Sequence, residues 1–321
     1  EQREVLQGVL DQRIVMLYVA PERLRVASFV DVLLRRIEAD GGLEYIVFDE
    51  AHCINQWGYE FRPDYFFAFS FLMSQLRTGR LPDPTPVLLL SATLTASDRR
   101  RMRGLLERLS QDPDRLPLAI CPDPTTQVSP LRAHIRVRAH QLQGNIFESD
   151  GKALQERIPE VVQVIRTARS NADETGQRSA VLVFVLSRSH ADTLAEQLTR
   201  ETGRGVESFH ACLDGATRED IYDRFRSGEF DVLVATKAFG MGMDIPDIHW
   251  VVHLASPGYL EDYLQEVGRI GRGVREREKA GLDRLDALML YSGQDFEAIR
   301  SMRAESELRV PQIDEIEKHI L

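Results

Sequence analysis

Residues 46–65 read IVFDEAHCINQWGYEFRPDY. With Tyr45 before it, the run Ile46-Val47-Phe48 is short and apolar, which predicts a buried strand. Asp49 and Glu50 follow at once. At the end of a buried strand, one carboxylate can hold Mg²⁺, directly or through water. A second can position or deprotonate a water aimed at a nucleotide γ-phosphate. The same pair also suits an ordinary helix N-terminus. His52 is placed to couple the pair to a neighbouring segment. Gln56, Trp57, Tyr59, Phe61, Arg62, Asp64 and Tyr65 then make a loop too rich in large side chains for a casual connector.

Upstream, residues 14–20 (IVMLYVA) predict a strand stopped by Pro21. Glu22 and Arg23 then stand at its carboxyl end, where open α/β sheets bind ligands. A helix over 28–39 ends at Gly41-Gly42. Downstream, 66–76 predicts an apolar helix and 77–86 a connector. Residues 87–90 predict a strand capped by Ser91-Ala92-Thr93, and 97–109 an arginine-rich helix. Residues 112–130 hold five prolines and read as the surface connection into a second domain.

The second half alternates. Strands are expected at 135–138, 180–186, 206–209, 230–235, 250–254 and 287–290, and helices at 152–168, 294–304 and 314–321. A helix over 189–199 carries Ser189 and Asp192 as a capping box, and one over 217–225 carries Thr217 and Asp220. Another runs to about Val267 from a Ser256 cap with Pro257 at its first position. Residues 171–177 are polar and read as a loop. Strands alternating with helices imply a mostly parallel sheet. After 230–235 comes Thr236-Lys237-Ala238-Phe239-Gly240-Met241-Gly242-Met243-Asp244, whose glycines let a backbone approach a ligand and whose Asp244 could meet a ribose hydroxyl or an arginine. In Gln265-Glu266-Val267-Gly268-Arg269-Ile270-Gly271-Arg272, two arginines three apart and spaced by glycine can act as a phosphate clamp.

Taken in order, these stretches resemble the RecQ family of superfamily 2 DNA helicases across roughly residues 14–292. Residues 46–65 are similar to motif II and its aromatic loop, Pro21-Glu22-Arg23 to motif Ib, and Ser91-Ala92-Thr93 to motif III. Residues 183–187 are similar to motif IV, 236–244 to motif V and 265–272 to motif VI, with Phe209-His210-Ala211 before motif V. The resemblance implies an α/β fold of tandem RecA-like lobes with mostly parallel sheets. The first lobe, 1–130, would be incomplete at its N-terminus; the second would span 131–293, with a helical extension at 294–321. It implies an ATP-dependent motor that travels 3′ to 5′ on single-stranded or partly duplex DNA, with Mg²⁺-ATP between the lobes. Asp49 would hold Mg²⁺ and Glu50 the water, with His52 beside them. Arg269 and Arg272, supported by Gln265, would reach the γ-phosphate, and Gly242 and Asp244 would line the nucleotide. Pro21, Glu22, Arg23, Trp57, Phe61, Arg62, Ser187, Arg188, His210, Thr236 and Phe239 would contact DNA. Ser91, Ala92 and Thr93 would couple the two sites.

Composition agrees with a two-domain globular chain: 321 residues and 43% hydrophobic, with no apolar run of membrane length. Cys53, Cys121 and Cys212 lie far apart, so neither disulfide nor zinc spacing is expected. A net charge of −10 leaves room for local basic clefts, not for general coating of nucleic acid. A P-loop, with its phosphate-binding lysine, should precede residue 14, but the first of only four lysines is Lys152. Residues 1–321 therefore read as part of a larger motor, acting in a bacterial cytoplasm or a eukaryotic nucleus, with repair or defence proteins as partners. Two other readings stay open: a translocase or remodelling subunit of a defence or DNA-modification system, and a DNA-binding scaffold without turnover.

In the complete protein, Trp57→Ala with Phe61→Ala should remove the stimulation of ATP hydrolysis by single-stranded DNA. Each stacked base contributes roughly 1–3 kcal/mol. Steady-state assays with and without DNA, beside a melting curve, separate this from a packing role, which would lower the melting temperature and leave stimulation intact.

Overall fold

The computed structural model describes residues 2–38, 43–54, 63–78, 80, 85–91, 96–109, 132, 134–148, 151–240, 243, 245–272 and 285–306. Trp57, Phe61, Arg62, Ala92, Thr93, Gly242 and Asp244 lie outside these residues, as do the proline-rich stretch 112–130 and the expected helix 314–321. The chain divides into two compact units, one of residues 1–127 with 305–321 and the other of residues 128–304.

The first unit contains α1 (Gln2–Leu10), a 3₁₀ turn at Pro21–Arg25, α2 (Ala27–Glu38), β1 (Ile46–Phe48) and a 3₁₀ turn at Ala51–Ile54. Next come α3 (Pro63–Arg77), β2 (Val87–Leu89) and α4 (Ala96–Leu109). β1 and β2 pair in parallel, with Ile46 opposite Val87. Phe48 meets Phe69 of α3 edge-on at 5.3 Å, and Ile54, Phe66 and Leu105 extend the same core. Residues 14–20, expected as a strand, form none. Val15 is 98% exposed and Tyr18 89%. β-propensity acts only through a pairing neighbour, and among the described residues this run has none.

The second unit contains β3 (Ile135–Gln141), α5 (Lys152–Thr175), β4 (Ala180–Phe184), α6 (Arg188–Thr202), β5 (Glu207–Phe209) and α7 (Gly215–Ser227). It continues through β6 (Val232–Ala235), β7 (Ile248–His253), α8 (Leu260–Val267), β8 (Leu285–Tyr291) and α9 (Gly293–Ser306). The strands form one sheet in the order β3-β8-β7-β4-β6-β5, every pair parallel. A central parallel strand is buried on both faces, so it reads as unbroken apolar sequence. In β4, Val181 and Val183 enter one core with Ile158, Val161 and Ile165 of α5 and Leu194 of α6. Ala180, Leu182 and Phe184 enter the opposite core with Ile221 and Phe225 of α7 and Val267 of α8.

Several local expectations change. Ser187, not Ser189, caps α6 by accepting from the His190 amide. Asp214, not Thr217, caps α7, accepting from the Thr217 amide. α8 begins at Leu260 after Tyr259, not at Pro257. The polar stretch 171–177 continues α5 to Thr175, because Gly176, at φ 67°, supplies the left-handed cap and donates to Ala172 O.

A fully buried ion pair joins distant elements of this unit. Arg157 of α5 donates to Leu254 O at 2.9 Å, to Ala153 O at 2.7 Å and to Asp295 of α9 at 2.5 Å. Asp295 also accepts from the Ile146 and Ser292 amides. Removing one partner strands a buried charge, at about 3–5 kcal/mol. Asp295→Ala should therefore lower the unfolding free energy of the second unit by about that amount. Urea unfolding would show it as a lower midpoint with an unchanged slope, and an unchanged midpoint would refute it.

Candidate active site

In the first unit, Leu90 N donates to Phe48 O and Ala51 N to Leu90 O, each at 2.8 Å, so the ladder resumes after skipping Asp49 and Glu50. Glu50 makes this possible with φ 50°, a left-handed conformation uncommon for a non-glycine residue. Both carboxylates are thereby turned out of the ladder. Asp49 is exposed and Glu50 half-buried. The Glu50 amide donates to Asp49 Oδ1 at 2.9 Å, and the Tyr65 hydroxyl donates to Asp49 O. His52 is buried. Its Nδ1 stands 3.1 Å from Ser91 Oγ, just past β2, and 3.3 Å from Glu50 Oε2. A proton on Nδ1 therefore has an acceptor on either side.

Sequence reasoning did not single out Arg25. Its guanidinium pairs with Asp64 and lies 4.5 Å over the Phe67 ring, tying the turn that holds Pro21, Glu22 and Arg23 to the start of α3. Glu22 and Arg23 are exposed on that turn, with Pro21 half-buried. No local pattern marks Arg25, because its partners lie about forty residues away.

In the second unit, the loop after β6 and the end of α8 interlock. Arg269 is buried, with Nη2 donating to Gly240 O at 2.5 Å and Nη1 to Met243 O at 3.1 Å. It also lies over the Phe239 ring at 5.6 Å. Burial first, and then neighbouring Arg272, pushes its pKa down to about 10, so it stays charged at neutral pH. Arg272 is half-buried and addresses the same Met243 carbonyl at 3.5 Å, and Gln265 is half-buried on α8. Gly240 and Gly268 are required here: a Cβ would stand 2.8 Å from Lys237 O and 2.9 Å from Leu264 O. Lys237 reaches Asp262 of α8 at 2.6 Å, a second tie between loop and helix. Burial, outweighing Lys237, holds the Asp262 carboxyl above its usual range.

The expected DNA-contacting residues of this unit separate. Arg188 is exposed and donates to Cys212 Sγ at 2.7 Å; Ser187 and Thr236 are half-buried. His210 is buried and paired with Asp192 at 3.1 Å. Phe239 is a correction: it has no exposed surface and stacks edge-on with Phe209 at 5.3 Å and Phe225 at 6.2 Å. It stands in the turn four residues past the end of β6, and its ring packs into the core with α7 and not toward a ligand.

A carboxylate turn at the end of a parallel strand, followed along the chain by a parallel sheet with an arginine-bearing glycine turn, defines the tandem RecA-like class of α/β folds. Residues 1–102 match the DEAD/DEAH box helicase family, and residues 157–274 the helicase conserved C-terminal domain. The chain is 30% identical over 290 residues to the RecQ-like DNA helicase blm-1 of Caenorhabditis elegans, covering 90% of this chain and 25% of that protein. It is 32% identical over 279 residues to the ATP-dependent DNA helicase RecQ of Synechocystis, covering 87% and 51%. The structure of Mss116p bound to ssRNA and AMP-PNP shares the fold, with a TM-score of 0.56 at 16% identity, over 95% of this chain and 54% of that one. The chain belongs to the RecQ-like branch of the DEAD/DEAH box helicases. It spans between a quarter and about half of the length of these two curated relatives.

Phe239→Ala should cost about 3–5 kcal/mol, as for a large aromatic removed from a core. The check is a melting curve of the variant. A parental melting temperature with weakened DNA binding would return Phe239 to the DNA surface.

Proposed function

We propose that the complete protein is an ATP-dependent DNA helicase and that this chain supplies most of its motor. The observation that carries this reading is the turn after β1, where Glu50 is set against His52 and His52 against Ser91. Mg²⁺ takes one or two protein carboxylates and keeps several waters, which suits the exposed Asp49. When bound with ATP, the ion neutralises charge developing on the phosphates. Glu50 orients the attacking water and accepts its proton. His52 holds the Glu50 carboxylate and passes its state to Ser91, so a change at the phosphate can reach the segment that follows β2. Arg272 supplies charge to the transition state, which is worth roughly 10³–10⁵ in rate for an arginine finger. Arg269 holds Gly240 and Met243 of the turn after β6 in place, and the family resemblance gives Gln265 a supporting role and Gly242 and Asp244 a part in nucleotide binding. Single-stranded or partly duplex DNA is held by Glu22, Arg23, Trp57, Phe61, Arg62, Ser187, Arg188 and Thr236, and travel is 3′ to 5′, as the family resemblance implies. No zinc is called for by this segment.

Glu50→Gln in the complete protein should abolish ATP hydrolysis while ATP still binds. The measurements are phosphate release and equilibrium binding of a fluorescent ATP analogue. Hydrolysis at the parental rate would remove Glu50 from the chemistry.

A further inference from the structure

β3 is an edge strand of the six-stranded sheet, and all of its residues after Ile135 are exposed. Edge strands commonly carry a charge or two that discourage pairing with other chains. Here the charges are arranged more specifically. Arg136, Arg138 and His140 alternate along the strand, so they share one face at a spacing of about 6.6 Å. They stand opposite Asp286, Leu288 and Leu290 of β8. Asp286 is fully buried and accepts from Arg136 Nε at 2.6 Å and Nη2 at 2.9 Å. Arg138 Nη2 reaches the same carboxylate at 3.3 Å, and its guanidinium lies 5.4 Å over the Trp250 ring. Both side chains nevertheless remain open to water, Arg136 at 60% and Arg138 at 47%. A guanidinium has five N–H donors, and Arg136 gives two of them to Asp286. The two-point pairing with Asp286 leaves the remaining donors on a side chain open to water. His140 is balanced by Glu160 of α5 at 3.3 Å. The turn before β3 adds exposed Arg132, anchored on Ile270 O at 3.0 Å, and exposed His134. This basic run sits in a chain of net charge −10.

We propose that the β3 edge is a nucleic-acid contact in which Arg136 and Arg138 bind phosphates of one strand, apart from the motif loops. A guanidinium fork matches a phosphate bidentately, and Asp286 has already met the cost of ordering the two side chains. β3 carries no Phe, Tyr or Trp on which a base could stack, and its His140 is paired with Glu160, so the contact positions a backbone and reads no sequence. It requires that the protein bind nucleic acid, and it does not depend on the catalytic assignment.

The test uses the full-length protein with Arg136→Gln, Arg138→Gln and Asp286→Asn together, which replaces the charged triad with neutral hydrogen-bonding groups. Binding of a fluorescein-labelled mixed-sequence single-stranded oligonucleotide is followed by anisotropy across a salt series. Each lost phosphate contact on a single strand lowers the slope of log affinity against log salt by about 0.7, so two contacts should lower it by about 1.4. The loss should be equal for oligonucleotides of different sequence, and ATP hydrolysis without DNA should be unchanged. Arg138→Gln alone leaves the Arg136–Asp286 pair intact and should lower the slope by about 0.7. Parental slope and affinity in a variant that melts like the parent would reduce these arginines to guards of a sheet edge and overturn the proposal. So would competition by poly-glutamate as effective as by an oligonucleotide of equal charge, which would assign the edge to an acidic protein. Failure of the motor reading would appear separately, as continued hydrolysis by Glu50→Gln.

Discussion

A parallel strand that is hydrogen-bonded on both sides must be covered on both faces, and the second unit is built around that constraint. Its central strands alternate residues between two cores, one closed by α5 and α6, the other by α7 and α8. Because most strands are followed by a helix that carries the chain back to the amino end of the sheet, the turns leaving the strands collect at its carboxyl end. The candidate site residues collect there. Ser187 follows β4, His210 follows β5, and Thr236 and Lys237 follow β6. The first unit repeats the logic on a smaller scale, with Asp49 and Glu50 after β1 and Ser91 just beyond β2.

Chemistry at those turns depends on where the backbone leaves the ladder. Glu50 adopts a left-handed conformation, and the hydrogen bonds on either side of it close over the gap. Conformations of that kind cost free energy and persist only where the surroundings hold them. Here Tyr65 does so through Asp49 O and His52 through the Glu50 carboxylate, with Ser91 against His52. In the second unit the same task falls to arginine. Arg269 binds two carbonyls of the turn after β6, and the Lys237–Asp262 pair ties the same turn to α8. Arg157 and Asp295 provide the deeper anchorage between α5, the end of β7 and α9. Guanidinium suits all these positions because its five planar donors can satisfy several acceptors at once and it keeps its charge when buried.

Much of this was legible in the sequence. The expected strands and helices of the second unit, read from short unbroken apolar runs and from helix signals between them, mostly fall within a few residues of the observed ones. The order of the acidic turn, the glycine loop and the glycine-spaced arginines named the family without coordinates. Errors followed from using local rules where a longer-range choice decided. Ser189 and Thr217 have the right residue type for a helix cap, but Ser187 and Asp214 sit where the chain enters the helix. The polar run at 171–177 reads as a loop until Gly176 is seen to end a helix. Residues 14–20 have strand composition and no partner to pair with among the described residues.

Residue type and spacing are properties of the chain itself, so the sequence alone determined the α/β class and marked the stretches proposed for the site. Three decisions belonged to the tertiary structure. Phe239 turns into the core, where its ring packs against Phe209 of β5 and Phe225 of α7. Arg269 turns onto Gly240 and Met243, 29 and 26 residues earlier in the chain. Asp295 completes Arg157 across 138 residues. Each depends on which distant acceptor comes within reach once the sheet has formed, and a carboxylate or carbonyl becomes a strong partner only when folding removes the water that would otherwise satisfy both groups.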